Sequence, residues 1–126
     1  MITKIGRECF GQMLTSSVKM DTIKLSTKVL TNLLDTSTLE DGSYTIATIP
    51  INENGYSWYY DSLNNTVNII VEAFKTLSGL EKVNYRSIGV YCTIDGVKKL
   101  FATSKYSIDL TNSNNAYVSY KFNFTI

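Results

Sequence analysis

Asp95-Gly96 lies between two β-prone runs in YRSIGVYCTI-DG-VKKLFATS, at residues 85–104. A type I′ turn needs positive φ at both central positions, and an Asp-Gly pair supplies it at little steric cost. The pair predicts a two-residue hairpin with Ile94 facing Val97, and so fixes two antiparallel strands near the middle of whatever fold forms.

The flanking segments favour more of the same. VNIIVEAF, residues 67–74, sets Val67, Ile69, Val71 and Ala73 on one face, while the other face carries Asn68, Ile70, Glu72 and Phe74. Residues 116–126 alternate most cleanly: Ala116, Val118, Tyr120, Phe122, Phe124 and Ile126 point one way, with Tyr117, Ser119, Lys121, Asn123 and Thr125 between them. Ser107-Ile-Asp-Leu reads as a further short strand before the TNSNN turn. KMDTIKLS, residues 19–26, reads as a strand of uncertain register, with Met20, Thr22 and either Ile23 or Leu25 inward. Residues 43–51 alternate Tyr44, Ile46, Ile49 and Ile51; the single proline, Pro50, predicts a sheet edge there, because proline cannot donate to a ladder.

Two segments carry helical spacing. Ile2, Ile5, Cys9, Phe10, Met13 and Leu14 form one stripe, with Thr3 as the N-cap, and Gly6 and Gly11 make that helix dependent on packing. Val29, Leu30, Leu33 and Leu34 suggest a short second helix over residues 27–35, capped by Ser26. The fold class expected is mainly β: an antiparallel sheet or sandwich with an N-terminal α-helix packed on it, in one domain spanning residues 1–126.

At 126 residues such a domain buries roughly two-thirds of its unfolded surface, so no metal or disulfide is needed to hold it. Twelve basic and eleven acidic residues give a net charge of +1 with the signs interleaved, and no basic face predicts nucleic acid as a partner. The N-terminus lacks the apolar run of a secretory signal and no segment predicts membrane insertion, so the chain is expected to be made in the cytoplasm. Cys9 and Cys92 sit at apolar positions, where a buried thiol is the ordinary role, and the glycosylation patterns at Asn64 and Asn123 carry little weight.

The residues set aside for chemistry are few. Histidine is absent, which removes the commonest general base and metal ligand. The seven glycines form no phosphate cradle, and Glu40-Asp41, Glu72, Glu81 and Asp109 read as solvated. No catalytic residue, metal or cofactor is expected, and the chain is not expected to be an enzyme. The aromatic run Tyr56, Trp58, Tyr59 and Tyr60 has three readings: core and edge cover, a protein interface, or a platform that stacks on sugar. Tyr56, Trp58 and Tyr60 share a face if the run is extended.

ITKIGRECFGQML at the N-terminus, KMDTIKLS, VNIIVEAF, the hairpin at residues 85–104 and the closing alternating strand together resemble the N-terminal domain of phage tail-collar fibre proteins. The matching positions are Ile2, Thr3 and Gly6, then Ile88, Gly89, Val90 and Tyr91, then Leu100, Phe101 and Ala102. The chain departs from that pattern at Ser87, where the family has an acidic residue, and in LSTKVL, where it has a Gly-Asp-Gly-type turn. The resemblance implies a structural virion protein of a phage or phage-tail-like particle, docked at the baseplate or collar. It also implies other tail, baseplate or fibre proteins as partners, and a homo-oligomer, a trimer being the usual fibre symmetry. The contact residues expected on that reading are Ile2, Ile5, Phe10, Met13, Tyr56, Trp58, Tyr59 and Tyr60. The alternative is a small carbohydrate-binding β-sandwich that contacts a surface glycan through Tyr56, Trp58 and Tyr60.

Overall fold

The structure is a computed structural model that describes residue 3, residues 20–31, residue 39 and residues 44–125, apart from the side chains of Tyr60 and Phe124. Six strands, β1 (Met20–Ser26), β2 (Ile46–Asp61), β3 (Thr66–Thr76), β4 (Asn84–Ile94), β5 (Val97–Asp109) and β6 (Asn115–Thr125), form one antiparallel sheet in the order β5-β4-β1-β2-β3-β6. The sheet curls, and its two ends approach through inward side chains. The Phe101 and Phe122 rings lie 6.0 Å apart, and the Tyr120 hydroxyl donates to Ser104 Oγ at 2.7 Å.

The hairpin forms as expected. Asp95 and Gly96 take φ of 51° and 77°, and Ile94 pairs with Val97. Beyond the turn, β5 slips by one residue between the pairs Val90↔Ala102 and Tyr91↔Leu100. That bulge lets Phe101 and Ala102 both join the inner cluster, while Leu100 is buried outside it. The expected Ser107-Ile-Asp-Leu strand is not separate: Ser107 to Asp109 end β5, Leu110 lies just beyond it, and β5 bulges a second time between its pairings with Ser87 and Tyr85.

The inner core runs along the alternation of the strands: Ile23 and Leu25 from β1, Ala47 and Ile49 from β2, Val67, Ile69, Val71 and Ala73 from β3, Ile88, Val90 and Cys92 from β4, and Ala116, Val118 and Phe122 from β6. Thr22, assigned inward from the sequence, pairs with Tyr91 on the opposite face, because Asp21 is inserted between the pairings of Met20 and Thr22. That opposite face is buried as well. Thr22, Lys24, Ser26, Ser87, Tyr91, Leu100 and Thr103 all have little access to solvent. The Lys24 ammonium sits 4.7 Å from the Tyr91 ring centre, so a cation on this polar side is held by an aromatic face.

Leu39 and Thr3 supply part of the cover. The Leu39 N–H donates to the Tyr91 hydroxyl at 3.2 Å. Thr3 donates its N–H to the Phe101 carbonyl and shares its hydroxyl between the Leu100 and Phe101 carbonyls, at 2.7 and 3.0 Å. Thr3 therefore ties the chain to β5. The remainder of the expected N-terminal helix lies outside the described residues, among which there is no α-helix.

Two further expectations are corrected. Residues 27–31 are irregular instead of helical, where Ser26 Oγ accepts the Lys28 N–H and Thr27 Oγ1 accepts the Thr45 N–H and so offer the backbone a turn, while residues 32–35 of that expected helix lie outside the described residues. Pro50 does not mark a sheet edge: β2 lies between β1 and β3. Proline is tolerated because it sits at the changeover, where Pro50 makes the last pairing with β1 and Ile51 the first with β3.

Candidate docking face

The second half of β2, with β3 and β6, forms a three-stranded region whose inward side chains pack toward the core and whose outward face runs from the buried Asn68 through the half-buried Ile70 and Glu72 to the exposed Phe74. Pairing places Tyr59 beside Asn68, Ser57 beside Ile70, and Phe74 beside Tyr117 on that outward face. Phe74 is 47 % exposed, Tyr117 58 % and Tyr59 48 %. Burial would favour each ring, so three large rings standing on a rigid sheet represent apolar surface left available for contact.

Charged groups stand between the rings. The Lys121 ammonium lies 6.0 Å from the Tyr59 ring centre and 3.5 Å from its hydroxyl. The Glu72 carboxylate beside Tyr117 raises that phenol's pKa, with smaller contributions from desolvation and from a hydrogen bond to the carboxylate. Lys121 pairs with Ile70 and Glu72 with Ser119, so the cation and the anion are diagonal neighbours between Tyr59 at one end of the face and the Phe74–Tyr117 pair at the other, and the face is amphipathic.

The residues singled out from the sequence divide. Ile2, Ile5, Phe10 and Met13 lie outside the described residues, as does the side chain of Tyr60. Tyr56 and Trp58 do share one face, but it is the inward one, opposite Val71 and Ile69; the backbone of Tyr60 pairs with Val67. Tyr56 packs against the core and its hydroxyl is buried with no hydrogen-bond partner among the described residues. Burial, and then the neighbouring Cys92 thiol, push the Tyr56 pKa up to about 12. Trp58 keeps 40 % of its surface exposed in spite of its inward register. Tyr59 stands on the outward face.

Phe74 and Tyr117 were not foreseen. Their signal was present in the sequence as apolar residues on the wrong parity of two strands; what pairs them is the β3–β6 register, which no local pattern specifies.

A concavity lies beside the β2 bulge. Met20, Asp21, Ile51, Asn52, Glu53 and Tyr56 line an open cleft of about 360 Å³. Asp21 is already engaged there: it accepts the Thr22 hydroxyl at 2.7 Å and the Thr93 hydroxyl, and pairs with the Lys98 ammonium at 3.5 Å. A carboxylate so occupied is a structural tie between β1, β4 and β5. Among the described residues no three His, Cys, Asp or Glu side chains converge as metal ligands. Cys92 is buried in the inner core, in keeping with its apolar position in the sequence, while Cys9 lies outside the described residues. No protein-family model, curated protein or solved structure matches this chain.

Proposed function

We propose that this chain is a structural virion protein of a bacteriophage or phage-tail-like particle, docked at the baseplate or collar, where it anchors or forms part of a tail fibre by protein–protein contact. The observation that carries the reading is the outward face of β2, β3 and β6, on which Tyr59, Phe74 and Tyr117 are held exposed by strands whose other faces are spent on the core. Aromatic rings on a rigid scaffold lose little entropy on contact and are favoured anchors of protein interfaces. The resemblance to tail-collar fibre domains supplies the setting, with other tail, baseplate or fibre proteins as partners. Mass spectrometry of purified particles from the source strain is expected to find the chain in fixed stoichiometry with baseplate proteins. A chain absent from the particles overturns the reading.

A second reading is carried by the exposure of Trp58, an aromatic ring left open to stack on a glycan. It cannot use Tyr56, whose hydroxyl is buried. Binding on a glycan array that disappears with Trp58→Ala is the expected outcome on that reading, and an empty array counts against it.

A further inference from the structure

The two strands that end the sheet are built differently. β5 breaks its pairing with β4 twice by bulging and carries Lys98, Lys99 and Lys105, and both bulges and lysines spoil an edge for further pairing. β6 has no bulge and a single lysine. It pairs with β3 through eleven consecutive residues with no shift of register, contains no proline and bears one charge, Lys121. Its inward side chains are committed to the core, where Phe122 meets Phe101 and Tyr120 meets Tyr106 and Ser104. Along its other edge no strand pairs with it among the described residues. A long, regular, nearly uncharged edge is a template for one more strand.

We propose that β6 pairs antiparallel with β6 of a second copy of this chain, about a two-fold axis through Tyr120. Charge selects both the occupant and the register. Centring on Tyr120 lets all eleven residues pair and brings Lys121 of each copy opposite Ser119 of the other. Ser119 is itself the cross-strand neighbour of Glu72 on β3, so each Lys121 arrives one strand away from the other copy's Glu72, within reach of its long side chain on the same face. The symmetry makes two such attractions. Moving the axis by one residue to Lys121 would set the two ammonium groups directly opposite each other, which like charges on paired strands disfavour. The contact joins β2-β3-β6 of both copies into one continuous sheet and places Tyr117 and Phe74 of each along a shared outer surface. It does not depend on the tail-protein reading, since copies would pair this way in any setting.

Light scattering coupled to size exclusion, on the whole chain over about a hundredfold range of concentration, tests it with Glu72→Lys and Lys121→Glu. Both side chains reach the outer face, and unchanged circular dichroism and melting temperature verify the fold. The wild type is expected to be a dimer. Each variant alone sets two like-charged pairs across the axis and is expected to weaken the dimer by tenfold or more. An equimolar mixture of the two variants sets opposite charges at both places and is expected to restore it as a heterodimer. A wild type that stays monomeric, an oligomer whose mass neither variant changes, or a mixture that fails to re-form the dimer overturns the proposal.

Discussion

Tyr56 shows how one hydroxyl can work against a well-filled core. Its ring packs inward from β2, but its oxygen is buried without a hydrogen-bond partner among the described residues. An unpaired buried hydroxyl costs about 1–3 kcal/mol, so Tyr56→Phe is expected to raise stability by about 1 kcal/mol in urea unfolding at neutral pH. The same burial gives a pH signature. Tyr56 and Tyr85 both have pKa values raised from 10.0 to about 12, the first mainly by burial and then Cys92, the second mainly by burial and then Glu81. Below about pH 10 folded and unfolded chains both hold these protons, and the stabilisation is fully present. Between about pH 10 and 12 the unfolded chain ionises first, so stability falls as pH rises. Tyr56→Phe is expected to make that alkaline decline shallower, and an unchanged slope would show that Tyr56 is not one of the groups responsible. The sequence placed Tyr56 on a face with Trp58, which is right, but it could not say that this face is inward. Parity along one strand sorts side chains into two sets; only the neighbouring strands decide which set meets water.

At the scale of elements, the strands with strict alternation were legible and the places where strands change partner were not. VNIIVEAF and the last strand needed no tertiary information, because every second residue is apolar. β2 did: it is a single sixteen-residue strand, and residues 52–55 loop out between its pairings Ile51↔Ala73 and Tyr56↔Val71. Gly55 makes that detour fit, since a Cβ there would lie 2.4 Å from the Glu72 carbonyl oxygen. Backbone cannot yield as a flexible side chain can, so Gly55→Ala is expected to destabilise the protein by about 2 kcal/mol or more, measured by denaturant unfolding. The β3–β4 connection offers a milder case. Glu81, read from the sequence as solvated, accepts the Ser78 N–H at 2.9 Å and the Lys75 ammonium at 2.6 Å. Burial pulls its pKa upward, but these partners outweigh it and the net shift is downward. The stabilisation is therefore present above the ordinary Glu pKa and is lost as pH falls through the lowered value. Lys75→Ala is expected to cost about 0.5–1 kcal/mol near neutral pH and to remove part of the acid-side loss, as read from urea unfolding across that range.

For the whole molecule, local signals account for the hairpin and for the faces of most strands but leave the order of the sheet open. β1 pairs with β2 and also with β4, far along the chain, and β3 pairs with β6; nothing in KMDTIKLS announces two partners except that its polar residues must also be buried. The consequence of that order is a curled sheet whose first and last strands in space, β5 and β6, meet only through side chains. Phe101 is the centre of that meeting. The β5 bulge turns it inward beside Ala102, it is fully buried, and its ring lies 6.0 Å from Phe122 at a tilt of 51°. Truncating it removes both the transfer energy of a buried ring and the contact that closes the sheet, and large-to-alanine changes at such sites cost about 3–5 kcal/mol. Phe101→Ala is therefore expected to bring the domain close to its unfolding threshold, since single domains have only about 5–15 kcal/mol in total. A seam role makes a further demand: Phe122→Ala should be less harmful on top of Phe101→Ala than alone, by about 0.5–1.5 kcal/mol, because the pair has already been broken. Additive losses in that double-mutant cycle would mean that each ring packs on its own strand's neighbours and that the ends of the sheet are held by something other than this contact.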